Sequence, residues 1–226
     1  MYIGHFAPAL VAGALSPDAP RLGTLFVAAQ LVDLAFFLLL MLGVEDLRIV
    51  PGITAMNPLD LYHMPYTHSL AGTALWAIGF GGVVWRTSGI RAAGAWAAMV
   101  VLSHWLVDLI AHRPDLTLAG GRPKLGMGLW DYPLVAMPLE LGLIALAFWF
   151  YLRRNRGPLG PALILLAVLL LFQAINWFGP QPTGYSVALP LMALLSYAIL
   201  IALARWVGTT RRHRRAAGLA IASYRR

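Results

Sequence analysis

The sequence predicts an all-α fold, a polytopic membrane helix bundle with six to seven transmembrane helices. Three features carry that expectation. Of 226 residues, 60% are hydrophobic and only 12% are charged. A soluble domain carries about 25% charged residues, so this chain lacks the charge to coat a globular surface. Its mean hydropathy is +0.73, and its apolar residues gather in runs close to the ~20 residues a bilayer core demands. The same apolar content excludes intrinsic disorder. The absence of cysteine excludes a disulfide scaffold.

The elements follow in order. Ile3–Leu15 is apolar but short, and Ser16-Pro17-Asp18 ends it. It predicts a short or tilted first helix. No basic residues precede it, so it does not look like a cleaved signal peptide. Crossing helices are predicted at Leu22–Val44, Thr67–Trp85, Ile90–Ala111, Tyr132–Leu152, Leu159–Phe178 and Tyr185–Val207. No internal repeat interrupts them. The chain therefore reads as a single transmembrane domain over residues 1–208, followed by a basic tail over 209–226.

A net charge of +8 raises the question of nucleic acid. Sixteen of the 17 basic residues are arginine, and most stand at the ends of apolar runs. That pattern orients a membrane protein; it does not build a nucleic-acid face. Arg21, Arg86, Arg91, Arg153, Arg154, Arg156 and Arg205 fall on alternate connections, together with Arg211, Arg212, Arg214, Arg215, Arg225 and Arg226 of the tail. The opposite side holds Arg48, Arg113, Arg122 and Lys124. The richer side is expected in the cytoplasm. The expected setting is a multi-pass protein of the cell (inner) membrane, with its C-terminus cytoplasmic and the lipid bilayer as its partner.

Ionisable side chains inside hydrocarbon cost at least ~2.5–3.5 kcal/mol each, so those present need a reason. Asp33 lies in the middle of the second helix, His104 and Asp108 inside the fourth with His112 at its end, and Glu140 in the fifth. His5 lies in the short first helix, and His63 and His68 stand just before the third. Four residues advance a helix by about 400°, so His104, Asp108 and His112 project from nearly one face. His104 and Asp108, one turn apart, can share a metal ion as i,i+4 pairs do in zinc enzymes. His112 lies two turns from His104, about 12 Å along the axis. One ion can hardly take both histidines, which leaves His112 as a ligand of a second ion, a supporting group or a substrate contact. In the segment His63-Met64-Pro65-Tyr66-Thr67-His68-Ser69, Pro65 favours a helix start after it. Thr67 or Ser69 can cap that helix, which places His68 in its first turn at the outer interface.

The His-x4-His block ending Thr67-His68-Ser69, followed by His104-x3-Asp108, resembles the YdjM/YbcI-like family of membrane-bound metal-dependent hydrolases. Gly128-Leu129-Trp130-Asp131-Tyr132-Pro133 is similar to the glycine and aromatic-proline step that follows the family's His-x3-Asp helix. The likeness covers roughly residues 1–135. Met64 and Pro65 stand where that family carries Arg and Gly. The resemblance implies a divalent metal and a hydrolytic activity, with His5 and Asp33 filling the family's early histidine and acidic positions.

The chemistry expected is hydrolysis at a divalent metal. His68, His104 and Asp108 are the expected ligands, with His5 beside them. Imidazole and carboxylate donors suit zinc best, with manganese and iron also compatible. Asp33, Glu140 or Asp131 is available as general base, with Asp33 favoured, and His63 or His112 as proton donor to the leaving group. Arg113 and Arg122 are placed to meet an anionic group such as a phosphate. A site at the outer interface suits a lipid or phosphoester-type substrate. The same buried Asp, Glu and His residues also fit a small transporter or ion carrier, although the repeat symmetry common in transporters is missing. A scaffold around a structural metal is a third reading.

Overall fold

The computed structural model describes residues 1–214; Arg215, Arg225 and Arg226 of the expected basic tail lie outside the described residues. The fold is an all-α bundle, with seven α-helices and three two-stranded ladders among the described residues. A 3-10 turn, Ile3–His5, leads into α1 (Phe6–Leu15) and α2 (Leu22–Met41). A hairpin of β1 (Asp46–Ile49) and β2 (Leu59–His63) connects to α3 (Leu70–Ser88) and α4 (Arg91–Ala111). The short strands β3 (Leu116–Thr117) and β4 (Lys124–Leu125) precede α5 (Pro133–Arg154). After β5 (Asn155–Arg156) come α6 (Leu159–Phe178), α7 (Ala188–Thr210) and β6 (Arg212–His213), which pairs back onto β5.

Five helices, α2, α4, α5, α6 and α7, are long and apolar enough to cross a membrane. The other two helices differ from these five. α3 has 19 residues but carries Gly72, Gly79, Gly81, Gly82 and Arg86, which dilute its apolar character. α1 has 10 residues, six of them buried. It is apolar on all sides, as a helix enclosed by protein is. It lies against α2, α4 and α5, and Phe6, Leu10 and Ala9 are fully buried in the main core. By contrast, α6 buries one stripe, Pro161, Ala162, Leu165, Leu169 and Gln173. Its other faces expose Leu163, Leu171 and Ile175, as contact with acyl chains permits.

The two ends of the bundle differ. One end carries the β1–β2 and β3–β4 hairpins. There Arg113 Nη2 meets Asp60 Oδ1 at 2.5 Å, and Tyr62 donates to the Asp46 carboxylate. That bond holds the exposed Tyr62 hydroxyl above its ordinary pKa. The other end is closed by the β5–β6 ladder. There Arg211 donates to the carbonyls of Gly157, Pro158 and Asn155, and His213 Nε2 lies 3.0 Å from Ala14 O. The division of residues 1–208 from a tail at 209 therefore falls inside folded structure, since α7 runs to Thr210 and His213 is buried.

The α3–α4 pair aligns the ends that carry chemistry. Gly89, at φ 73°, ends α3 in the left-handed conformation that glycine tolerates. The helices then cross at Gly81 and Gly94. A Cβ on Gly94 would come within 2.6 Å of Gly81 O and 2.7 Å of Trp85 Cβ. Small residues let backbones approach in this way, and the start of α3 is thereby held against the end of α4. Gly94→Leu is expected to lower the Tm in detergent, with an overpacking cost of about 1–3 kcal/mol. Gly79→Ala, where an added Cβ meets nothing within 4 Å, is expected to change it by less than about 1 kcal/mol. Thermal melts of the two variants check this.

Candidate metal centre

α4 supplies the centre of the site. His104 and Asp108 lie in its last turns, and His112 is the residue that ends it. All three are buried, at 1%, 2% and 3% exposure. Asp108 Oδ2 lies 3.1 Å from His104 Nε2, and Oδ1 lies 3.3 Å from His112 Nε2. The i,i+4 spacing thus sets one imidazole on each side of one carboxylate.

His68 reaches the cluster from the approach to α3. Ser69 is the N-cap of that helix, its Oγ accepting from Gly72 N at 2.9 Å. His68 therefore precedes the cap and lies outside the first helical turn where the sequence placed it. The buried carboxylate of Glu45 clamps this segment, accepting the N–H groups of Tyr66 and Thr67 and the Thr67 hydroxyl. Trp105 of α4 donates to His68 O at 3.2 Å. His68 Nε2 then stands 3.3 Å from Asp33 Oδ1 and 3.7 Å from Asp108 Oδ2. Asp33, from the middle of α2, also lies 3.5 Å from His104 Nε2. Its other oxygen accepts from the Tyr197 hydroxyl at 2.9 Å. His5 enters from the 3-10 turn, its Nε2 3.0 Å from Asp108 Oδ1 and its ring stacked on His104 at 3.9 Å.

The far sides of three imidazoles identify their tautomers. His104 Nδ1 lies 2.8 Å from Ala29 O, which can only accept. His112 Nδ1 lies 2.9 Å from Asp115 Oδ1, a carboxylate oxygen. His68 Nδ1 lies 2.8 Å from Thr67 Oγ1, whose own proton goes to Glu45. Each Nδ1 is therefore a donor, and a neutral ring in this tautomer presents an Nε2 lone pair to the carboxylates. This is the arrangement of metal-ligating histidines, whose outward N–H is fixed by a carboxylate, carbonyl or hydroxyl. The Nε2 atoms of His5 and His104 lack a well-aligned hydrogen-bond partner despite carboxylate oxygens nearby, and the N-terminal ammonium is the donor at Asp108 Oδ1, at 3.5 Å. A cation among the remaining acceptors would satisfy them. Two donors held at ~2.0–2.2 Å by a tetrahedral ion lie about 3.3–3.6 Å apart, close to the contacts above. Two triads of ligand atoms, His5–His104–Asp108 and Asp33–His68–His104, each lie within 4.8 Å of one another. The residues fit a divalent ion.

The structure thus brings together His5, Asp33, His68, His104, Asp108 and His112. It leaves two expected site residues outside. His63 is exposed at the end of β2, paired in the ladder opposite Asp46. Glu140 is buried but occupied: its Oε1 accepts from Gly4 N at 2.9 Å and its Oε2 from Gln173 Nε2 at 3.1 Å. Gln173 in turn accepts from Ile3 N. Glu140 therefore holds the turn that carries His5. Asp131 is exposed and accepts from Ala55 N. Arg113 is engaged by Asp60, and Arg122 is exposed. The Gly128–Tyr132 step packs over His112, with Gly128 N donating to His112 O and the Trp130 ring 4.2 Å from the imidazole. Glu45, Tyr197 and Gln173 are site-building residues that sequence reasoning missed. Glu45 lies in a loop where a carboxylate is unremarkable. Only the mid-helix position of Gln173 gave any signal.

Comparison of the chain with family models, with curated proteins and with solved structures finds no match.

His104→Ala and Asp108→Ala are each expected to abolish high-affinity binding of a divalent ion. His213→Ala, at the opposite end of the bundle, leaves binding unchanged. Tyr197→Phe, which removes only the hydroxyl at Asp33, is expected to weaken affinity about 10–100-fold with the fold retained. Elemental analysis and metal titration of the purified variants measure all four effects.

Proposed function

We propose that this chain is an integral membrane metal-dependent hydrolase acting on a lipid or phosphoester-type substrate. Its ion is held by Asp33, His68, His104 and Asp108 in the outer half of the bundle. The single observation that carries this reading is the convergence of imidazoles on the buried carboxylate of Asp108 and the partly buried one of Asp33, with each Nδ1 of His68, His104 and His112 already bonded on its far side. The resemblance of the His68, His104 and Asp108 motifs to the YdjM/YbcI-like hydrolases points the same way. Zinc is the ion that this donor set suits best.

A divalent ion at such a site polarises a substrate oxygen and acidifies a bound water. The chain's own residues do the rest. Thr67, Ala29 and Asp115 hold the imidazoles in the tautomer that leaves Nε2 free to bind. Tyr197 holds Asp33 so that one oxygen faces His68 and His104, which makes Asp33 a ligand in this reading and not the general base. Asp33 is also the cluster's most accessible ligand, at 18% side-chain exposure against 2% for Asp108. A substrate reaches the cluster on that side. Exposed apolar faces on the surrounding helices suit a substrate that partitions into the bilayer. The excess of arginine at the opposite end favours a cytoplasmic C-terminus in the cell membrane, with the hairpins outside.

The test is to load the purified protein with zinc and screen phosphoesters and lipid esters with and without chelator. Chelator-sensitive turnover is expected. A metal-loaded protein inert towards every ester class would remove the hydrolytic reading. Asp33→Asn separates roles at the same site. As a ligand, its loss lowers metal content and turnover together. Normal metal content with turnover down about 10²–10⁴-fold, the range for a lost general base, would return Asp33 to that role. For orientation, a reporter fused after Arg226 is expected to be active only in its cytoplasm-competent form. An externally active fusion reverses the topology.

A further inference from the structure

The end of the bundle away from the metal centre holds a second polar recess. Residues of the α1–α2 connection, the ends of α5 and α7 and the β5–β6 ladder line a cleft of about 220 Å³. Arg21, Arg211 and Arg212 belong to it. No acidic residue lines it, and Asp18, in the same connection, is exposed. Among the described residues, Arg113 at the opposite end is the one arginine in an ion pair.

Arginines at the ends of apolar runs ordinarily orient a chain in the bilayer, and for that they need only reach water. Arg86 and Arg91, at this same end, are exposed and fit that role. Arg211 does not, being 6% exposed. Its Nη1 and Nη2 donate to the carbonyls of Gly157, Pro158 and Asn155. Carbonyls leave its charge unbalanced, and its buried Nε has no hydrogen-bond partner. A buried charge without a counter-ion is strongly unfavourable, so an anion in the cleft would complete it. Two further donors line the same recess. Tyr151 is 3% exposed, and its hydroxyl has no hydrogen-bond partner among the described residues. α2 begins at Leu22 with no side chain capping it. Gly208 keeps that start clear, since a Cβ there would lie 3.0 Å from Leu22 N. A helix N-terminus attracts negative charge through its dipole and its free N–H groups.

The cleft stands where α2 enters its apolar span and where α5 and α7 leave theirs, the depth at which lipid headgroups lie. We propose that it binds the phosphate group of an anionic lipid headgroup. Arg21, Arg211 and Arg212 supply the charge, since arginine pairs with phosphate through charge-assisted hydrogen bonds. The Tyr151 hydroxyl and the start of α2 supply further donors. The site is independent of the metal centre and of the reaction assigned to it.

The test uses the full chain, delipidated in detergent and titrated with phosphatidylglycerol, with phosphatidylcholine and inorganic phosphate as parallel arms. Native mass spectrometry counts the lipid retained, and thermal melts follow binding. One phosphatidylglycerol per chain is expected, with a raised Tm and much weaker retention of phosphatidylcholine. Arg21→Gln and Arg212→Gln, at exposed side chains, are each expected to weaken retention at least about 10-fold. Tyr151→Phe is expected to weaken it about 3–10-fold, and Arg86→Gln to leave it unchanged. Arg211→Gln is expected to abolish it. Because Arg211 also ties the β5–β6 end together, the other three cleft variants carry the test if that one does not fold. An equal loss in Arg86→Gln would show attraction by overall charge and overturn the site. Equal retention of phosphatidylcholine, or retention that no cleft variant alters, overturns it as well. A Tm rise with inorganic phosphate that matches phosphatidylglycerol, and is lost in the same variants, overturns the lipid as occupant in favour of free phosphate.

Discussion

A carboxylate with 2% exposure cannot remain bare in a protein interior, because burying an uncompensated charge costs several kcal/mol. Asp108 has the N-terminal ammonium 3.5 Å from Oδ1 and is surrounded by four imidazoles, two per oxygen. Much of the fold can be understood as the means of delivering them. α4 contributes two through its own helical repeat. The Gly81–Gly94 crossing holds α3 against α4, so that the residues just before α3 reach the same point. The buried α1 and its leading 3-10 turn bring His5 inward, where an ordinary crossing helix would have carried it past.

Support for the cluster comes from elements that supply none of its imidazoles. α5 provides Glu140 and α6 provides Gln173, and both fasten the backbone of the 3-10 turn. α7 provides Tyr197 to orient Asp33. Glu45, from the loop before β1, fixes the Thr67–His68 segment. The late helices thus lie outside the stretch of motif resemblance yet complete the site. Their outer faces are apolar and exposed, and only a narrow stripe of each turns inward. That asymmetry is expected where hydrocarbon, not water, surrounds the bundle.

The α4 triad was legible in the sequence because an α-helix has a fixed period. His104, Asp108 and His112 had to share a face whatever the rest of the chain did. His68 was legible from its nearness to a helix start, although its place before the cap depended on Ser69, and not Thr67, accepting from the helix. Glu140 shows the limit of the argument. A buried carboxylate in an apolar helix signals a task, but the sequence does not say whether that task is chemistry or holding a neighbouring backbone. His63 shows the converse, since a histidine five residues from His68 can end a strand and point away.

The sequence by itself determined the helical class, the apolar spans and the residues whose burial had to be compensated. Hydrophobic content and 3.6-residue periodicity are local properties, and they survive without knowledge of partners. The tertiary structure alone decided that α1 is enclosed, and that His5, Asp33 and His68 meet at Asp108. It also decided which tautomer His68, His104 and His112 adopt. Those outcomes depend on contacts between residues as far as 170 positions apart, as between Ile3 and Gln173. No local pattern encodes such distances; they follow from how closely the helices pack and where each one ends.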